Sequence, residues 1–267
     1  MSMLPIALTD GWVVTKRNLL KYKRIPDLII FSTIQPIMFV LLFAYVFGGA
    51  IPIEGVSYRE FLMPGIFVQT VAFGAGVTAI GLADDLQKGI VDRRSLPMSR
   101  AAVLVGRTTS DLLNNLFVVL IMSITGLIVG WRINTNVWKG IAGYLLLFAF
   151  AYAMSWISAV IGLSVKSVEV AQSAGFIWMF PLTFLSNAFV PTSTLPPVLQ
   201  PIAEWNPISS VVLSLRDLWG NAPDGAERGS GFPAEHPIEL SLLWISAILI
   251  VFIPLSISRY RKAAARS

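Results

Sequence analysis

Six long apolar runs separated by short polar stretches organise this chain. They fall at roughly residues 28–50, 61–83, 106–130, 141–163, 170–190 and 238–258. Each is close to the ~20 helical residues needed to cross a hydrocarbon core of ~30 Å. In lipid every backbone polar group must be bonded within its own segment, so the pattern predicts six transmembrane helices and an all-α fold. Pro36, Pro64, Gly74, Gly76 and Pro181 interrupt the runs. Membrane helices tolerate such breakers where neighbouring helices re-satisfy the freed groups.

The segments outside the runs are not uniform. Residues 1–27 carry a basic cluster after a weak apolar stretch, and a run of full spanning length follows, which argues against a cleavable signal. They predict an interfacial amphipathic helix, with Trp12, Val13, Leu19 and Leu20 toward lipid. Lys16, Arg17, Lys21, Lys23 and Arg24 would face water and anionic head groups. A solvated tail that only fixes orientation is the other reading.

Residues 191–237 open with "PTSTLPPVLQPIAEWNPISSVVLSLRDLWG" and then turn polar and glycine-rich. Two short helices fit, about 195–205 and 207–219, broken at Asn206–Pro207, where proline suits the start of the second. They form either a hairpin dipping into the outer leaflet or a passive outer cap; the residues alone support both. The expected organisation is thus one transmembrane unit over 1–267. Its parts are the interfacial helix 1–27, helices one to five in 28–190, the extracellular hairpin and loop 191–237, helix six at 238–258 and a tail at 259–267.

Composition sharpens this picture. The 267 residues are 55% hydrophobic and only 13% charged, where a soluble domain would be about 25% charged. Cysteine is absent and His236 is the single histidine, which removes disulfide, thiolate and zinc chemistry. The net charge of +5 is explained by its placement. Of the twenty Lys and Arg, fifteen lie on one set of alternating ends. The other set holds Arg59, Arg132, Lys139, Arg216 and Arg228. By the positive-inside rule both termini and residues 84–100 are cytoplasmic, and no nucleic-acid partner is needed.

Catalytic signatures are missing. There is no GxxxxGK[ST] phosphate loop, no HExxH and no GxSxG. Asp111 is the one acid well inside a run, which disfavours both a paired-aspartate protease and an ion-coupled carrier. The polar residues within the runs are mostly neutral: Gln35, Gln69, Asn114, Asn115, Gln172 and Asn187. Singly they read as helix packing; together they could line a moderately polar pathway.

The stretch "DDLQKGIVDRRSLPMSR", residues 84–100, differs from an ordinary loop. Asp84, Asp85 and Asp92 stand among Lys88, Arg93, Arg94 and Arg100. Topology needs bases, not acids. Mixed charge instead suits complementary docking of a partner.

At this point the residues resemble a family. "GIVDRRSLPMSRAAVLVGRT" is similar to the segment between the second and third helices of ABC-2 type permeases. "LSNAFVPTSTLPPVLQPIAEWNPISSVVLSLRDLWG" is similar to their region after the fifth helix. The likeness is greatest to the actinobacterial daunorubicin/doxorubicin-resistance branch, although "DRRSLPM" is shorter than that branch's form. The resemblance implies a bacterial plasma-membrane permease subunit that pairs with a second permease, identical or homologous. Two separate ABC ATPase subunits would bind ATP and Mg, and this chain would hold no cofactor.

It also implies ATPase docking at Lys16, Arg17, Lys21, Asp84, Asp85, Lys88, Asp92, Arg93 and Arg94. An extracellular gate would lie near Trp205, Asn206, Pro207 and Arg216. Pathway candidates are Gln35, Gln69, Asn114, Asn115 and Asn187. The expected cargo is a hydrophobic or amphipathic drug, polyketide or lipid. An ion-coupled secondary exporter and a non-transporting membrane assembly protein are the alternatives.

Overall fold

The computed structural model describes residues 26–47, 53, 55–88, 100–223, 225–229 and 231–266. The expected interfacial helix and Lys16, Arg17, Lys21, Asp92, Arg93 and Arg94 lie outside the described residues. Every regular element among the described residues is helical. Helix α1 (Pro26–Leu42) continues into a π-helical turn at Phe43–Phe47. Helix α2 (Tyr58–Gly74) begins with a capping box in which Ser57 and Glu60 satisfy each other's backbone amides. A break at Ala75 separates α2 from α3 (Gly76–Gln87).

Then follow α4 (Arg100–Val129), α5 (Val137–Gly162) and α6 (Val168–Phe184). Beyond a non-helical bend at residues 185–190 come α7 (Gln200–Glu204), α8 (Pro207–Trp219), α9 (Gly231–Glu235) and α10 (Pro237–Arg266).

Among the described residues, four segments are long and apolar enough to cross a membrane: Tyr58–Gln87, Leu104–Val129, Val137–Gly162 and Pro237–Ala263. The run expected at 28–50 is α-helical over Pro26–Leu42 and π-helical over Phe43–Phe47, and the run expected at 170–190 gives a shorter helix, ended by the bend after 17 residues.

The outer hairpin also differs from expectation at its first arm, which is helical only over Gln200–Glu204. Pro196 and Pro197 lack amide hydrogens and push Leu195 to an extended ψ of 155°, so the helix starts late. The second arm matches expectation. Asn206 caps α8 by accepting from the Ile208 amide at 2.8 Å, Pro207 takes the first position, and Gly220 closes it at φ 72°.

Helix α5 lies at the centre, packed by α2, α3, α4, α6, α8 and α10. It is apolar all round, with buried Gly140, Gly143, Ala151, Ala153, Ser155, Ser158, Ala159 and Gly162 giving its neighbours close approach. The main core joins α2, α4, α5 and α8, including Phe67, Trp131, Tyr144 and Trp219. Their rings meet at centroid distances of 5.1–6.3 Å.

Candidate functional site

The apolar core is interrupted by a cleft of about 180 Å³. Gln35, Pro36 and Phe39 of α1 form one wall, and Gln69, Thr70, Phe73 and Gly74 of α2 another. Val77 of α3, Asn114, Asn115 and Val118 of α4, and Phe176 of α6 complete it. The cleft therefore gathers four of the five pathway candidates, all amides. None of these four makes a side-chain hydrogen bond to a described residue. Asn115 Oδ1 lies against Gly74, where a Cβ would collide with it.

A second hollow of about 120 Å³ shares Phe73, Val77 and Phe176. It runs along α6 past Gln172, Gly175 and Met179 to Ser158 of α5. Aromatic faces with unpaired amides, and no charged side chain, suit an uncharged or amphipathic molecule.

Asn187, the fifth amide, sits elsewhere. It lies in the bend after α6, where its backbone N–H donates to Ser209 Oγ at 3.0 Å instead of to a helical carbonyl. Its Nδ2 donates to the Ser209 carbonyl at 3.3 Å. The bend exposes carbonyls that lipid could not satisfy, and the protein covers them one by one. Asn206 Nδ2 donates to the Leu182 and Leu185 carbonyls, each at 2.7 Å, and Tyr58 Oη donates to that of Phe189 at 3.2 Å.

Arg216 completes the clamp and is 1% exposed. Its Nη2 donates to the carbonyls of Asn187 at 2.8 Å and Ala188 at 3.4 Å, and its Nε to that of Phe61 at 2.9 Å. The guanidinium also lies 3.4 Å from the centroid of the Phe61 ring.

Gly65 lets α2 approach the Ala188 carbonyl so closely that a Cβ would strike it. Gly65→Ala is expected to cost about 1–3 kcal/mol by forcing the backbones apart. A lowered unfolding midpoint in detergent would register it.

Of the gate candidates, Asn206 and Arg216 are buried and hydrogen-bonded to the bend, and Pro207 is the first residue of α8. Trp205 is exposed and stacks on Phe232 at 6.2 Å. Beside this region, Asp217 and Arg228 form a two-pronged ion pair, both bonds at 2.7 Å. The Asp217 carboxylate raises the pKa of the Arg228 guanidinium.

At the other end of the bundle, Lys88 pairs with Asp84 at 2.7 Å on the surface. Asp85, one residue on, turns inward to Arg107. Arg107 was not among the candidate residues, although its spacing of four from Asp111 was a visible signal.

The fold and cleft define an all-helical, multi-pass membrane protein with a neutral polar hollow. Residues 9–218 match the family described as "ABC-2 type transporter", and the chain belongs to that family. It is 31% identical to the daunorubicin resistance ABC transporter permease protein DrrB1 of Streptomyces coeruleorubidus, over 95% of this chain and 85% of that one. It is 23% identical to the probable doxorubicin resistance ABC transporter permease protein DrrC of Mycobacterium tuberculosis, over 94% of this chain and 87% of that one. The inner membrane transport permease YadH of Escherichia coli is 23% identical over 69% of this chain and 74% of its own length. The chain is a transmembrane ABC permease, and family, relatives and apolar helices place it as a multi-pass plasma-membrane protein.

Proposed function

We propose that this permease exports an uncharged or amphipathic, largely hydrophobic molecule, driven by ATP hydrolysis in two separate ATPase subunits. The observation that carries this reading is the cleft, with four unpartnered amides among aromatic side chains and no charge. A bilayer-soluble cargo with a few carbonyl or hydroxyl groups would find partners there without shedding a large hydration shell. The relatives' names, daunorubicin and doxorubicin resistance, favour a drug-like cargo over a sugar or ion.

In this reading α1 and α6 serve as the two remaining spans, with both termini cytoplasmic and the α7–α8 hairpin at the outer face. Helices α1 and α6 and the π-helical turn present Ile34, Met38, Tyr45, Ile177 and Phe180 outward. A second permease chain, identical or homologous, would cover part of those faces and complete the pathway. Lys16, Arg17, Lys21 and residues 84–94 would dock the ATPase.

The test is co-expression with a candidate ABC ATPase subunit from the same genome and purification in mild detergent. The two are expected to co-purify, and Asp92→Arg with Arg94→Glu is expected to abolish the association. An intact chain that brings down no ATPase would defeat the reading and favour an ion-coupled carrier.

A further inference from the structure

The end of the bundle bearing Lys88 and Arg100 holds a group of charges that the cleft does not use. Arg107 of α4 reaches across to α3. Its Nη1 lies 4.0 Å from Asp85 Oδ2 and its Nε 3.5 Å from Asp111 Oδ2. Its Nη2 donates to the Val77 carbonyl at 3.3 Å. Thr78 Oγ1 donates to the same Asp111 oxygen at 2.5 Å. Thr78 is fully buried, Asp111 is 3% exposed, and the Arg107 side chain is 12% exposed.

Gly81 is what admits the guanidinium, because a Cβ there would overlap Nη2. Charges in such a place are costly unless their geometry is fixed, so the group resists sliding of α3 along α4. Its reach is also informative. Val77, whose carbonyl it holds, lines both hollows, and Asn114 and Asn115 follow Asp111 by one turn of α4.

We propose that Arg107, with Asp85, Asp111 and Thr78, is a positioning device that makes α3 and the start of α4 move as one body. Motion imposed at the Lys88 and Arg100 ends then arrives at the cleft wall through Val77 and the Asn114–Asn115 pair. This rests on the exporter reading for its source of motion, while the rigidity of the pair does not.

The chain has no cysteine, so labels can be placed at will. Spin labels at Gln87→Cys on α3 and Val105→Cys on α4, both exposed, report their separation in the chain alone and in its ATPase complex in nanodiscs. The expected result is one narrow distance, unchanged by nucleotide, which broadens in Arg107→Lys and in Gly81→Ala. Transport per ATP hydrolysed should fall about fivefold or more in both variants.

Combining Gly81→Ala with Arg107→Ala should be no worse than Arg107→Ala alone, because every overlapping atom belongs to the guanidinium, which alanine lacks. Additive losses would mean general crowding and would overturn the proposal. So would an α3–α4 distance that shifts with nucleotide, or variants with unchanged distances. If no ATPase co-purifies, the exporter reading fails, and the label pair in the isolated chain still decides whether the clamp exists.

Discussion

Replacing Arg216 by methionine is expected to lower the unfolding midpoint of the detergent-solubilised protein by about 10 °C. The reasoning starts from the three carbonyls of Phe61, Asn187 and Ala188 that its guanidinium holds. A buried polar group left without a partner costs about 1–3 kcal/mol, so the loss amounts to about 3 kcal/mol or more. For a domain of this size each kcal/mol shifts the midpoint by about 2–4 °C. Methionine preserves much of the volume, so packing is a minor part of the change.

Arg216→Lys should fall between the two, since it keeps a charge but loses the fork that spans α2 and the bend. Intrinsic tryptophan fluorescence against temperature is a suitable measurement. A methionine variant melting within about 2 °C of the parent would show that the clamp contributes little.

The second large effect concerns the cleft. Gly175→Phe is expected to reduce transport about tenfold or more while leaving folding and partner association intact. Gly175 lines the hollow along α6, and a Cβ built there meets nothing within 4 Å. A phenyl group would therefore occupy space that is open in the native protein. Removing a glycine from the interior of a helix also favours the helix by up to ~1 kcal/mol, so lost function could not be blamed on lost structure. Export of a fluorescent hydrophobic dye from cells, normalised to membrane abundance, reads the outcome. Normal export would place the route outside this hollow.

Sequence and structure agree where solvent preference decides the matter. Amides inside lipid-length runs are conspicuous, and Gln35, Gln69, Asn114 and Asn115 do meet in one cleft. The same logic grouped Asn187 with them, yet that residue belongs to the bend, because its backbone needed Ser209 and Arg216 as partners. Nothing in the local sequence of Arg216 reveals its three carbonyls, which come from segments 155, 29 and 28 residues away.

Arg107 carries a local signal, four residues before Asp111, but in sequence it is indistinguishable from the other bases that set orientation. Span lengths were legible for the four long helices. They were not for α6, where a tertiary-stabilised bend ends the helix inside an apolar run.

That early end of α6 has a consequence for the surrounding bilayer. Seventeen residues rise only about 26 Å, a few ångströms short of a typical hydrocarbon core. The Arg216 and Asn206 contacts pin the bend to α2 and α8, so α6 cannot lengthen by rewinding those residues. If α6 crosses the bilayer as proposed, the lipid beside Phe180 and Phe184 must thin to match it, at a cost of fractions of a kcal/mol per ångström. Turnover in liposomes should accordingly be highest in short-chain lipids and decline as acyl chains lengthen, making membrane thickness a regulator of this permease.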